Sequence, residues 1–190
     1  MKKIAVFASG SGSNVQNIIE FFQKDAFATV VLVLSNNPNA LALERAKTLG
    51  VDAVVFNKTQ LLDSKGVLSQ LLQYNIDFIV LAGFLWKFPK HIIGKFDNKI
   101  VNIHPALLPK FGGKGMYGMH VHKAVVAAKV KETGITIHHV NARYDEGAIV
   151  FQAKCTVDEN DTPEEIAQKI HKLEMEHFPT VIKDLLVKNA

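Results

Sequence analysis

The sequence holds one cysteine, Cys155, in 190 residues. That scarcity excludes an intrachain disulfide and every metal motif built on several cysteines, and it fits a reducing compartment. No apolar run reaches the ~18 residues that a helix needs to cross a bilayer, so no membrane association is expected. The apolar stretch after Met1-Lys2-Lys3 runs only from Ile4 to Ala8. It is too short for a secretory h-region and has no cleavage pattern behind it, so the expected location is cytoplasmic. There is no internal repeat, no low-complexity tract and no linker rich in Gly, Ser and Pro, which leaves a single domain over 1–190 as the expected organisation. A strong charge imbalance is also missing: 22 Lys+Arg face 18 Asp+Glu, a formal +4. The lysines are scattered and form no basic stripe interleaved with aromatics, so a nucleic-acid partner is disfavoured. A solvated basic surface and a mild attraction for small anions are the two readings left.

What is present is ordinary globular composition, 48% hydrophobic and 21% charged. Short β-branched runs recur at Ile4–Ala8, Thr29–Leu34, Ala53–Phe56, Phe78–Ala82 and Ile100–Ile103, and they read as buried strands. Between them come segments with helical spacing, such as Val15, Ile18, Ile19 and Phe22, then Leu41, Leu43, Ala46 and Leu49 closed by Gly50. Alternating strands and helices predict an α/β fold: a Rossmann-like, mostly parallel sheet with helices on both faces and sites at the carboxyl ends of its strands. The extended stretches Gly134–Val140 and Ala148–Val157 have only 141–147 between them, so added antiparallel C-terminal strands are expected. A last helix opens at Thr162-Pro163-Glu164-Glu165, with an N-cap, a first-turn proline and a capping-box glutamate, and is expected to run to about Val187.

The loop Ser9-Gly10-Ser11-Gly12-Ser13-Asn14 follows the first strand and opens the first helix. Free N–H groups and the positive helix end make it a candidate phosphate cradle; a glycine turn that only lets strand and helix pack is the competing reading. A dinucleotide is disfavoured, because Val15 stands where the third glycine belongs and the second strand ends in Ser35-Asn36-Asn37 with no acid for a ribose diol. Downstream, Asn102 and His104 lie two residues apart at the end of the fifth run and share a face. An amide donor beside a group titrating near neutrality is what acyl transfer to an amine requires, although histidines in sheets are more often structural.

The stretch Asn102-Ile103-His104-Pro105-Ala106-Leu107-Leu108-Pro109 resembles the signature of the formyltetrahydrofolate-dependent formyltransferases. Tyr144-Asp145-Glu146-Gly147 followed by Ile149-Val150-Phe151-Gln152 resembles the same family's aspartate loop and the strand after it. The resemblance implies the formyltransferase fold, 10-formyltetrahydrofolate as co-substrate, no metal, and a catalytic triad of Asn102, His104 and Asp145. In that triad Asn102 and protonated His104 stabilise the tetrahedral oxyanion, while Asp145 orients His104 and raises its pKa. The N-terminal loop is similar to the phosphate loop of the branch that formylates glycinamide ribonucleotide in purine (IMP) synthesis. This implies ribonucleotide contacts from Gly12, Ser13 and Asn14, joined by His171 and Glu174 one turn apart on the last helix.

The resemblance also implies a folate site formed by Leu85, Trp86, Lys87, Phe88, Asn102 and the loop Val140, Asn141, Ala142, Arg143, Tyr144 and Asp145, with Lys65 near the glutamate tail. Trp86 and Lys87 differ in type from the family's hydrophobic and arginine residues, and packing is a competing role for Trp86. The segment Phe111–Met119 carries four glycines and is longer than the family's usual stretch before His120-x-His122; it is expected to be a mobile flap that closes over the reaction. His104, His120 and His122 have no evident carboxylate partner for a metal. Rival readings are methionyl-tRNA formyltransferase, expected to carry a further C-terminal domain, formyltetrahydrofolate deformylase, expected to carry a preceding one, and a non-catalytic mononucleotide-binding module. The expected partners are glycinamide ribonucleotide and formyl folate, on a monomer or homodimer.

Overall fold

The computed structural model describes residues 1–188; the expected domain's last two positions, 189 and 190, lie outside them. Fourteen elements follow in order: β1 (Lys2–Phe7), α1 (Ser13–Lys24), β2 (Ala28–Ser35), α2 (Leu41–Thr48), β3 (Asp52–Val55), α3 (Lys58–Leu62), α4 (Val67–Gln73), β4 (Phe78–Leu81), α5 (Lys90–Lys95), β5 (Ile100–His104), α6 (Met119–Ala127), β6 (Glu132–His139), β7 (Ile149–Thr156) and α7 (Pro163–Lys188). The seven strands form one sheet in the order β3-β2-β1-β4-β5-β6-β7. The five strands β1 to β5 pair in parallel, whereas β6 runs antiparallel to β5 and β7 antiparallel to β6. Each strand lies within two residues of its expected bounds, and the α/β class with antiparallel C-terminal strands is the one observed.

Period-two alternation explains how one sheet carries two cores. Along β1, Ile4 and Val6 face the cluster made with α1, α2, α6 and α7, while Ala5 and Phe7 face the cluster made with α3, α4 and α5. Every one of these four side chains is fully buried. The last helix starts as its sequence demands: Thr162 N–H donates to Glu165 Oε2 (2.8 Å) and Glu165 N–H donates to Thr162 Oγ1 (3.2 Å). It continues through Pro179, beside which Phe178, Val181 and Ile182 are buried in the core. Tertiary packing there outweighs the lost backbone hydrogen bond.

Strand order reverses beside β1, whose neighbours are β2 on one side and β4 on the other. At such a switch point the connections after β1 and β4 leave toward opposite faces and open a crevice at the carboxyl ends. The two loops are nonetheless tied, since Ser9 N–H donates to Gly83 O (3.0 Å) and Leu85 N–H to Ser9 Oγ (3.1 Å).

Phe7 ends β1 directly below this crevice and makes edge contacts with Phe56, Phe84 and Phe88 at centroid distances of 5.8, 5.5 and 5.0 Å. Phe7→Ala is expected to cost about 3–5 kcal/mol in urea or guanidinium unfolding, through lost transfer energy and the cavity left behind. A loss below about 1 kcal/mol would show that the aromatic cluster does not support the switch point.

Candidate active site

Two adjoining cavities open at the carboxyl ends of the parallel strands. One, of about 710 Å³, runs from the glycine loop Ser9–Asn14 past Asn102 and His104 to Gly113–Gly118, Asp145, His171 and Glu174. The other, of about 610 Å³, is lined by Leu61, Leu62, Trp86, Phe88, Tyr144 and the cations Lys58, Lys87 and Lys90, among others. Leu85 and Tyr144 line both.

The β5–β6 pairing builds the centre of the first cavity. Asn102 lies opposite His138 and His104 opposite Thr136. Thr136 Oγ1 accepts from Leu108 N–H (3.0 Å) and donates to Ala106 O (2.7 Å), which holds the turn after β5 against β6. His104 is 3% exposed. Its Nε2 lies 2.8 Å from Phe111 O, and a carbonyl only accepts, so Nε2 carries a proton. Nδ1 then faces Asp145 Oδ2 at 3.6 Å. The same reasoning protonates His138 at Nδ1, 2.9 Å from His139 O. Its Nε2 therefore accepts from Asn102 Nδ2 (3.1 Å) and lies 3.6 Å from Asp145 Oδ1. An amide nitrogen carries two N–H donors; His138 takes one, leaving the other for a ligand.

Charge and burial compete in this cluster. Burial pushes the His104 pKa below the ordinary histidine value, Asp145 and the Phe111 carbonyl pull it back up, and the neighbouring His138 lowers it again. Asp145 raises the His104 pKa in the expected direction, although the net shift is downward. The carboxylate acts in the upward direction, but desolvation of a nearly closed imidazole is larger. Burial likewise works against the Asp145 carboxylate, yet the nearby His138 ring, the charge of His104 and the Gly113 N–H (2.9 Å) hold it below the usual carboxylate range. The glycine-rich segment expected as a mobile flap is folded onto the site here, and it supplies backbone partners to both His104 and Asp145.

At the other end of the cavity Gly12, at φ +72°, precedes α1, whose first N–H groups are free of intrahelical partners. Asn14 Nδ2 donates to Glu174 Oε2 (2.9 Å), and His171 Nδ1 lies 3.9 Å from the same oxygen. The Glu174 side chain is 15% exposed. Burial raises its pKa to about 7 against the hydrogen bond from Asn14.

Residues expected around a folate are only partly gathered. Leu85, Trp86, Lys87, Phe88, Tyr144, Asn102 and Asp145 line one cavity or the other. Val140 instead packs against the core and donates its N–H to Ile100 O (3.0 Å). Asn141 and Arg143 bond within their own loop to Glu146, and Ala142 lines neither cavity. Lys65 stands exposed in the turn held by Asp63 and lines neither. The phenylalanine at 88 is 4% exposed and serves the core as much as the cavity, and Trp86 also packs edge-on against Phe56 at 6.2 Å. His120 meets Tyr117 edge-on (5.2 Å) while His122 is buried; among the described residues no group of three His, Cys, Asp or Glu is arranged to hold a metal. Sequence reasoning missed His138 altogether. Its alternation with Thr136 along β6 was visible, but only the pairing register sets it opposite Asn102.

Two measurements follow from this geometry. Asp145→Asn removes the charge that raises the His104 pKa, so NMR titration should place His104 lower in the variant than in the parent; equal values would separate Asp145 from His104 electrostatically. Glu174 is a carboxyl with a raised folded pKa, so its burial costs nothing while it is protonated in both states below about 4.5, and the cost grows as pH rises to about 7. The full cost is about 3 kcal/mol. Unfolding measured at pH 5 and pH 8 should show Glu174→Gln gaining stability relative to the parent at the higher pH. Parallel pH profiles would mean that Glu174 ionises without penalty.

A family model described as formyl transferase matches residues 2–182. The chain is 42% identical over 185 residues to a chloroplastic phosphoribosylglycinamide formyltransferase of Arabidopsis thaliana, covering 92% of this chain and 63% of that protein. It is 36% identical over 194 residues to the phosphoribosylglycinamide formyltransferase of Bacillus subtilis, covering 100% of this chain and 97% of the relative. The chain thus spans under two thirds of the plant relative and nearly all of the bacterial one. Among solved structures, glycinamide ribonucleotide transformylase 1 from Symbiobacterium toebii superposes with a TM-score of 0.90 at 32% identity, over 99% of this chain and 89% of that one. With a matched family model along almost its whole length and this shared fold, the chain belongs to the formyl transferase family.

Proposed function

We propose that this chain is a phosphoribosylglycinamide formyltransferase, which moves the formyl group of 10-formyltetrahydrofolate onto the amine of glycinamide ribonucleotide in purine synthesis. The observation that carries the reading is that one cavity holds an anion-receptive helix N-terminus at one end and the Asn102–His104–Asp145 cluster at the other. Such a cavity suits a substrate with a phosphate at one end and a nucleophile at the other. The relatives named for this activity support it.

In the proposed reaction the free amine attacks the formyl carbon and forms the new C–N bond. Charge moves to the formyl oxygen, where the second N–H of Asn102 and the N–H of protonated His104 stabilise it. Collapse of the tetrahedral intermediate breaks the bond to the folate nitrogen, and the attacking amine releases a proton while the leaving nitrogen gains one. Asp145 offsets the imidazolium charge at Nδ1, leaving Nε2–H as the donor. That proton is held by Phe111 O in this structure, so the flap carbonyl must yield its place as the oxyanion forms. The second N–H of Asn102 needs no such exchange, and a donor in place before charge develops costs no reorganisation at the moment of reaction.

For the ribonucleotide we propose the N–H groups of Gly12, Ser13 and Asn14 at the phosphate, with His171 and Glu174 along the ribose. For the folate we propose the second cavity, its ring system near Leu85 and Tyr144 and its acidic tail near Lys58, Lys87 and Lys90 rather than Lys65.

Incubation with glycinamide ribonucleotide and 10-formyltetrahydrofolate should give turnover followed by folate absorbance, and a folded protein giving none would end the reading. Asn102→Ala should lower kcat by about 10²–10³-fold, as expected for one lost oxyanion donor. Near-normal turnover in a folded N102A protein would remove Asn102 from the mechanism.

A further inference from the structure

We infer that Arg45 is the positioning residue of the phosphate loop: its guanidinium turns the Ser11–Gly12 peptide so that the N–H faces the ligand. This rests on the phosphate site proposed above and goes beyond it to a residue on another helix. Arg45 lies on α2, outside the residues that line the cavity. Its Nε donates to Ser11 O (2.9 Å) and its Nη1 to Gln16 Oε1. Gln16 is held in turn, since its Nε2 donates to Glu20 Oε1 (2.7 Å) one turn further along α1. One residue earlier in the loop, Gly10 O accepts from Ala42 N–H (3.2 Å), again from α2.

Both loop carbonyls are therefore drawn toward α2. A trans peptide is planar, with C=O and N–H pointing in opposite directions. Drawing the Gly10 and Ser11 carbonyls to α2 turns the N–H groups of Ser11 and Gly12 away from it, and both residues line the cavity. The contact is close enough to exclude any side chain at position 12: a Cβ there would lie 2.4 Å from Ala42 Cα. Without Arg45 the Ser11–Gly12 peptide is free to rotate, because the glycine at 12 has no Cβ to restrict it. Arginine suits the task where lysine does not. The fork of the guanidinium reaches two acceptors at once, Ser11 O on the loop and Gln16 Oε1 on α1, whereas an ammonium is a single point charge.

The test separates positioning from mere attraction. Ribose 5-phosphate is titrated into 15N-labelled protein, and the amide resonances of Ser11, Gly12 and Ser13 are followed. The parent should show saturable shifts there. Arg45→Met should weaken binding about tenfold, comparable to losing one charge-assisted hydrogen bond, with an unchanged melting temperature. Arg45→Lys should stay near the weakened value although it keeps the charge. In turnover, R45M should raise KM for the ribonucleotide while leaving kcat and the folate KM nearly unchanged. R45K binding as well as the parent would overturn the inference, because charge alone then suffices; R45M binding as well as the parent would overturn it too. Parent shifts confined to residues away from 11–14 would instead remove the phosphate site itself, and Arg45's role with it.

Discussion

The pairing of β5 with β6 is the contact on which the site depends. It sets Asn102 opposite His138, and period-two geometry then puts His104 on the same face, two residues on. A slip of one residue would turn His138 to the other face and leave the Asn102 amide without its partner. β6 therefore does more than extend the sheet. It also anchors the turn after β5 through Thr136, whose hydroxyl both accepts from Leu108 and donates to Ala106. The loop that carries Asp145 follows the same strand, so a single register gathers Asn102, His104 and His138 and starts the loop that brings Asp145 to them.

Burial gives that cluster its character. A histidine in water near neutral pH is divided between its two forms, and a nearby carboxylate alone would favour the charged one. Here desolvation favours the neutral imidazole and Asp145 the charged one, and burial prevails. The outcome is an imidazole that takes up a proton less readily than one in water. In the proposed reaction a developing oxyanion at Nε2 would supply the missing favourable charge, whereas the carbonyl of Phe111 supplies only a dipole. The same contest at the far end of the cavity goes against a charge on Glu174, which has one amide donor and little water.

The glycine loop shows how elements distant in sequence share one task. β1 delivers the loop, α1 supplies free N–H groups, the connection after β4 ties it through Gly83, and α2 draws its carbonyls away through Ala42 and Arg45. Each tie uses backbone or one long side chain, so the loop keeps its shape without a large apolar contact of its own.

Much of this was present in the residue order. Short β-branched runs and the capping box at Thr162 specify strands and a helix start by local geometry alone. The Asn102-x-His104 spacing puts two functional groups on one face wherever the strand goes. The partners of those groups were not legible in the same way, because they depend on pairing between segments far apart in the chain. His138 was one histidine among eight until strand register set it against Asn102. Lys65 was the lysine that the resemblance implied for the glutamate tail, yet in the turn at Asp63 it lines neither cavity, whereas Lys58 lines one. The sign of the His104 shift likewise waited on packing. Charge is written in the sequence, but the loss of water around a charge is a property of the whole fold, and here it is the larger effect.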